Sequence, residues 1–124
     1  MTARKKKIQV DPAAVLSRAL LRAAEELEFA RRPLARVLGV SEATLSRLSA
    51  GRNIDPESKE GELARLFLRL YRSLDALVGG DREKARLWFQ AENSHLNGRP
   101  EELVTKVEGL VRVIDYLDAM RGKF

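Results

Sequence analysis

Between residues 63 and 77 the apolar residues recur every three or four positions, which is the spacing of one face of an α-helix. Six of them form one stripe and two more widen it: Leu63, Leu66, Phe67, Leu70, Leu74 and Leu77, with Leu68 and Tyr71. An apolar sector of this width predicts a helix that contacts neighbours on two sides. We therefore expect a long central helix, from near residue 60 to Val78, that joins the two halves of the protein.

The other helices are predicted from their capping residues. Asp11 followed by Pro12 is typical of a helix start. The aspartate side chain accepts hydrogen bonds from the first backbone N–H groups of the helix, which have no partner within it. Proline has no N–H, and at the first helical position none is needed. This helix should run to about residue 29. The further predicted helices are a short one from Pro33 to Gly39, one from Ser41 to Gly51, one over Arg82–Gln90 that is capped by Asp81, a short one from Pro100, and a last one from about Val107 to Met120. No segment alternates as a strand would, so the predicted fold is all-α, with about seven helices.

The composition excludes several classes of function. The chain has no cysteine and one histidine, so thiolate chemistry, disulfides and the usual metal sites are not expected. We find no nucleophile–base pair and no phosphate-binding loop, and we predict neither an enzyme nor a cofactor. No apolar run is long enough for a membrane span, and no secretory signal is expected at the N-terminus. These features predict a cytoplasmic protein.

Positive charge is concentrated in the first half of the chain. The formal net charge is +5, and residues 1–60 hold 12 of the 23 basic residues but only 8 of the 18 acidic ones. Part of the excess is the run Arg4–Lys7, within a predicted flexible basic arm over residues 1–10. Such an asymmetry indicates nucleic acid as a partner at this end, although a solubilising tail is the alternative for the run by itself.

The segment around Gly39 predicts a helix-turn-helix. A short helix, a turn and a helix capped by Ser41 form this motif, whose second helix enters the DNA major groove. Exposed positions on that helix must be polar. The residues expected at these positions are all polar: Ser41, Glu42, Thr44 and Arg47. Arg47 is suited to guanine or a phosphate, and Ser41 and Thr44 to phosphates or base edges. Glu42 is ambiguous, because it could accept from cytosine N4 or repel the DNA backbone.

This segment resembles the Xre/Cro helix-turn-helix family through the stretch from Pro33 to Leu48, PLARVLGVSEATLSRL. Two positions depart from the family pattern. Arg32 and Pro33 stand where the family often has a glutamine that contacts phosphate, and Leu48 stands where an aromatic residue is common. Arg32 is therefore included among the candidate DNA contacts. Packed helices with a glycine turn also occur in proteins that do not bind DNA.

Residues 81–124 carry a second pattern: Trp88, Asn93, Leu96, Gly98, Pro100, Leu103, Gly109, Val113, Leu117 and Gly122. It resembles the toxin-binding domain of the Xre/MbcA/ParS antitoxin family. The resemblance implies a helix-turn-helix domain over residues 11–79 and a toxin-binding domain over residues 80–124. It also implies a type II antitoxin that neutralises a RES-domain toxin, which degrades NAD or transfers ADP-ribose from it, and that represses its own operon.

The last predicted helix has two apolar stripes. The inward stripe is Leu103, Val107, Leu110, Ile114 and Leu117, and the second is Val113, Tyr116, Met120 and Phe124. Since a small domain rarely buries a helix all round, the second stripe indicates a partner surface. A wider core face is the alternative for Val113 and Tyr116. We interpret Trp88 and Phe89 as core anchors, and His95 as an exposed loop residue.

The C-terminal residues after Met120 have the properties of a plug for a dinucleotide-binding cleft. Arg121 and Lys123 are suited to an anion site, Gly122 allows backbone freedom, and Phe124 is suited to a stacking pocket. In the family that the chain resembles, the C-terminal segment obstructs the active site of the toxin. The alternative is a solvated tail, with inhibition by the face of the last helix.

Two partners are expected, a cognate RES-domain toxin and operator DNA. Operators bound by this kind of motif are commonly palindromic, so a homodimer and a higher-order complex with the toxin are also expected. The wide stripe over residues 63–78 and the second stripe of the last helix offer apolar surface for the dimer. The alternative function is a stand-alone helix-turn-helix repressor whose C-terminal helices only dimerise it.

Overall fold

The computed structural model describes residues 10–122, and these form seven helices without a β-strand. In chain order they are α1 (Pro12–Glu26), α2 (Arg31–Leu38), α3 (Glu42–Ser49), α4 (Lys59–Leu77), α5 (Arg82–Gln90), α6 (Pro100–Leu103) and α7 (Val107–Arg121). The predicted all-α fold is confirmed.

The helix starts follow the predicted capping residues. The side chains of Asp11, Ser41 and Asp81 each accept a hydrogen bond from a backbone N–H in the first turn of α1, α3 and α5. Two bounds differ from the prediction. Helix α1 ends at Glu26 rather than near residue 29, because Glu28 adopts a left-handed φ of 53°. Helix α2 begins two residues before Pro33.

Helix α4 lies at the centre of the fold and contacts α1, α2, α5 and α7. Its apolar stripe is buried in these contacts, and Phe67, Leu70 and Leu74 are fully enclosed. The expected central helix is therefore present. The stripe is used mainly by the chain's own core, and only Leu66, Tyr71 and Leu77 are half-buried.

One hydrophobic core runs through both halves of the chain. The rings of Phe29 and Phe67 stack at 5.5 Å between centroids, and Phe89 meets Phe29 edge-on at 5.2 Å. Outside this aromatic cluster, Arg82 forms an ion pair with Glu26 at 3.2 Å, and the Arg86 Nε donates to the Glu26 carbonyl oxygen at 2.7 Å. Helix α5 is thus fixed to the end of α1, although the two are far apart in sequence.

Helix α7 packs most of its predicted inward face against the core, including Leu110, Ile114 and Leu117, and Val113 widens that face, as the alternative for this residue had it. Val113 is fully buried together with Leu110 and Leu117, whereas Val107 is 58% exposed and Val111 is 41% exposed. The prediction of Val107 as an inward residue is wrong, because it lies at the first position of α7 and at the edge of the face that packs. Gly109 is buried against α6, where a Cβ atom would overlap the carbonyl group of Leu103.

No helix within residues 10–122 has the length and apolar character that crossing a membrane requires.

Candidate functional site

Helices α2 and α3 meet through a tight turn at Gly39. This glycine adopts a left-handed conformation, with φ 69° and ψ 31°, and the Val40 N–H donates to the Ala35 carbonyl oxygen at 3.0 Å. The inner faces of both helices are buried: Leu34, Ala35, Val37 and Leu38 of α2, with Leu45 and Leu48 of α3. This packing leaves the polar residues of α3 on the outside of the fold.

The outer face of α3 is a chain of side-chain hydrogen bonds. The Ser41 hydroxyl donates to the Thr44 hydroxyl oxygen at 3.1 Å and also caps the helix. The Arg47 guanidinium donates to the same Thr44 oxygen at 3.3 Å. These bonds align three of the predicted DNA contacts along one exposed surface, and they are weak enough at the surface to be exchanged for bonds to DNA.

The structure pairs Glu42 with Arg32. The Arg32 Nε lies 3.3 Å from the Glu42 Oε2, and the two side chains are 73% and 56% exposed. An exposed pair of this kind contributes about 0–1 kcal/mol, so it can open at little cost. The arginine offsets the negative charge of Glu42 at the start of α3, which lessens repulsion of a phosphate backbone.

Three further arginines lie beside α3. They are not among the DNA contacts predicted from the sequence. The Arg31 Nη1 donates to the Ser46 hydroxyl oxygen at 3.2 Å, and Arg36 and Arg52 are exposed. Residues 31–52 contain five arginines and one glutamate. The net charge of each half of the chain does not reveal this cluster. The net charge of residues 31–52 alone does. The result is a cationic surface around α3.

In the C-terminal part, Tyr116 lies in an aromatic stack. Its ring centroid is 6.3 Å from Trp88, with nearly parallel planes, and 5.8 Å from exposed His95. The Arg112 guanidinium donates to the Leu96 carbonyl oxygen at 2.7 Å and ties α7 to the same loop. Phe89 is fully buried and is a core anchor, as the sequence predicts. Trp88 and Tyr116 are half-buried, so each contributes to the surface as well as to the core.

The predicted toxin contacts separate into three groups. Val113 has no exposed surface, so its assignment to a partner surface is wrong: it faces the core beside Leu110 and Leu117. Tyr116 and Met120 are half-buried, and Arg121 and Gly122 are exposed. Lys123, Phe124 and the basic run at the N-terminus lie outside the described residues.

A polar network fixes the end of α7 to α4. The Arg121 guanidinium donates to the Ser73 hydroxyl oxygen at 3.2 Å, and that hydroxyl donates to Asp118 at 2.9 Å. Arg69 forms an ion pair with Asp118 at 2.6 Å. Burial acts to raise the pKa of Asp118, but the hydrogen bonds from Ser73 and Arg69, with the charges of Arg69 and Arg121, outweigh it and hold the pKa below its usual value. Arg121 is therefore partly engaged within the protein.

The described residues form a helix-turn-helix with an exposed polar second helix, followed by a small helical unit after α4, which is a helix-turn-helix type of fold with an added C-terminal domain. The chain matches the antitoxin Xre-like helix-turn-helix domain over residues 7–69 and the antitoxin Xre/MbcA/ParS C-terminal toxin-binding domain over residues 73–123. The chain belongs to the Xre/MbcA/ParS antitoxin family.

Among solved structures, the chain is similar to one in the crystal structure of the M. tuberculosis MbcT-MbcA toxin-antitoxin complex. The TM-score is 0.64 and the identity 23%, and the match covers 89% of this chain and 97% of the other. At this identity the likeness shows a shared fold. No curated protein matches the chain in sequence.

Proposed function

We propose that this antitoxin neutralises a RES-domain toxin that consumes NAD, and that it represses its own operon through α3. The observation that carries the proposal is the coexistence, on one core, of a capped polar helix bordered by arginines and a toxin-binding domain. The similar fold in a toxin-antitoxin complex supports a toxin as the partner. Both roles place the protein in the cytoplasm, where its operon and its toxin are.

The proposed DNA contacts are Arg32, Ser41, Glu42, Thr44 and Arg47. In this proposal Arg47 contacts guanine or a phosphate, while Ser41 and Thr44 contact phosphates or base edges. Glu42 would accept from a cytosine amino group after Arg32 leaves it and pairs with a DNA phosphate. Base contacts would supply the sequence preference, and the surrounding arginines would supply a salt-dependent attraction.

We expect Arg47→Ala to weaken binding to the promoter of the chain's own operon by about 1–3 kcal/mol, if the contact is bidentate. The measurement is fluorescence anisotropy with a labelled promoter fragment at fixed salt. Arg99→Ala is the matched control, because it removes the same charge from an exposed side chain that pairs with Glu92 in the C-terminal part. Equal affinity of the Arg47→Ala protein and the wild type would contradict the proposed role of α3.

The proposed toxin-binding surface consists of Tyr116 and Met120 together with residues 121–124. Tyr116 is held in place by its stack with Trp88, and the end of α7 is held by the bond from Arg121 to Ser73. A terminal segment starting from this fixed point would enter the NAD cleft of the toxin. Its positive charge is suited to a site that binds a pyrophosphate, and Phe124 to a site that binds a ring.

Deleting Lys123 and Phe124 tests the plug without removing the Arg121 contact. We expect the truncated protein to bind the toxin but to restore most of its NAD consumption, measured in a purified mixture at equal concentrations. DNA binding should be unchanged and serves as the control for folding. Full inhibition by the truncated protein would show that the helix face, and not the terminal segment, inhibits the toxin.

We also propose a homodimer, since a palindromic operator needs two recognition helices related by a two-fold axis. The stripe of α4 is mostly buried, so most of the proposed dimer surface lies outside it. The mass of the protein in solution at micromolar concentration tests this part of the proposal, and a strict monomer without DNA and toxin would contradict it.

A further inference from the structure

A groove with an apolar floor runs between α1 and α4. It consists of two adjoining depressions of about 480 and 610 Å³, which share Val15, Ala19, Leu68 and Arg72. Two of the apolar residues in the groove are unusually open for aliphatic side chains: Val10 is 65% exposed and Val15 is 46% exposed. No residue of α2, α3, α5, α6 or α7 lines the groove. It is therefore separate from the outer face of α3 and from the proposed toxin-binding surface at the end of α7.

The rim of the groove is cationic. Four exposed arginines border it: Arg18, Arg22, Arg65 and Arg72. None of them forms an ion pair within residues 10–122. The lining contains two acidic residues. Glu26 is already paired with Tyr71 and Arg82, so Glu57 is the acidic residue of the lining that remains to offset the arginines. The groove thus combines apolar contact area with an excess of positive charge at its rim.

This combination restricts what can occupy the groove. A phosphate backbone would satisfy the arginines but leave the valines exposed. A second copy of the chain that used the same face would bring its own arginines against these four, which costs free energy. A protein segment with apolar residues along one side and carboxylates at its flanks satisfies both features, because arginine pairs well with carboxylates.

We propose that the α1–α4 groove is a second toxin-docking site, which binds an acidic amphipathic segment of the toxin. This inference rests on the proposed function, since it takes the toxin as the partner. Apolar side chains of that segment cover Val10 and Val15, and its carboxylates pair with the arginines of the rim. Because α3 is not part of the groove, the toxin can occupy it while α3 is on DNA.

The experiment measures the affinity of the full chain for the purified product of the neighbouring toxin gene by calorimetry at two salt concentrations. The test variants are Arg18→Glu with Arg22→Glu, and Val15→Gln, which keeps a good helix former at a partly exposed position of α1. The charge-matched control is Arg36→Glu with Arg52→Glu, two exposed arginines that lie outside the groove and outside the toxin-binding domain, so their contacts with DNA do not enter this measurement. Circular dichroism confirms that each variant is folded.

We expect each groove variant to bind the toxin on the order of tenfold more weakly, with less salt dependence for the double arginine variant, while the control binds as the wild type does. Wild-type affinity in the groove variants overturns the inference and leaves the proposed function intact. Equal weakening in the control overturns it too, because the attraction is then one of net charge. A groove variant that changes only the mass of the free protein assigns the groove to self-association. Absence of any binding by the wild type contradicts the proposed function itself.

Discussion

Phe89 packs its ring against residues from two distant parts of the chain. It meets Phe29 of the α1–α2 turn and Phe67 of α4 edge-on, with ring centroids 5.2 and 6.4 Å away, and it is fully buried. Edge-to-face pairs of this kind stabilise by about 0.5–1.5 kcal/mol beyond the apolar area that they bury. Phe89 is therefore the single residue that most directly joins the C-terminal helices to the rest of the core.

Replacing Phe89 by alanine should lower the free energy of unfolding by about 3–5 kcal/mol, because it removes buried contacts and leaves a cavity between α5, α4 and the α1–α2 turn. The matched control is Leu87→Ala on the same helix, where the side chain is 61% exposed and the change should be small. Urea unfolding of both variants measures the difference. Similar losses for the two variants would contradict the assigned position of α5.

At the scale of elements, α4 and α7 are joined by a polar network as well as by apolar contacts. Ser73 is buried within the apolar stripe of α4, with 3% of its surface exposed, and it both donates to Asp118 and accepts from Arg121. Directional bonds restrict how α7 rotates and slides on α4, which apolar contacts alone do not. The register of the last helix therefore depends on Asp118.

The lowered pKa of Asp118 predicts a pH-dependent contribution to stability. A carboxyl group whose pKa is lower in the folded state stabilises the fold above its unfolded pKa of about 3.9, and this contribution is lost as the pH falls through the lower folded value. We expect Asp118→Asn to be less stable than the wild type at neutral pH, by about 1 kcal/mol or less. The difference in the free energy of unfolding should shrink as the pH falls below about 4.

Urea unfolding of both proteins between pH 7 and pH 3 measures this difference. Asp115→Asn, on the exposed face of the same helix, is the charge-matched control. A difference between wild type and Asp118→Asn that stays constant over the whole pH range would show that the Asp118 charge does not stabilise the contact between α4 and α7.

At the scale of the molecule, the two family-defined parts share one core. The two matched regions divide within α4, yet the buried residues of α1, α4, α5 and α7 form one continuous cluster. The ion pair and hydrogen bond from α5 to Glu26 add to this connection. A chain built in this way has no boundary at which one part could unfold without exposing the core of the other.

We therefore expect a single cooperative unfolding transition. Trp88 is the only tryptophan, so its fluorescence reports on the C-terminal part, whereas far-ultraviolet circular dichroism reports on all helices. The two midpoints should coincide in a thermal or urea titration. A circular dichroism change that precedes the fluorescence change would show that the helix-turn-helix unfolds separately.

The sequence alone was sufficient for the number of helices and for most of their starts, although α2 begins two residues before Pro33. Asp11, Ser41 and Asp81 cap helices as predicted, because a cap needs only a side chain and a backbone N–H two or three residues away. The turn at Gly39 has the same local origin. The family was predicted from the helix-turn-helix stretch and from the spacing of residues after Gly80, and both matches confirm it. The individual DNA and toxin contacts stay predictions.

Only the tertiary structure decided how far the buried face of α7 extends. Val113 and Val107 have equivalent apolar side chains, yet one is enclosed and the other exposed. A spacing of three or four residues defines a stripe but not the width and length of the face that is covered, which are set by the partners that α7 finds on α4 and α6. The same holds for the pairing of Arg32 with Glu42 and for the arginines along the α1–α4 groove. Packing between helices brings these residues together. Their separation along the chain does not indicate which side chains become neighbours.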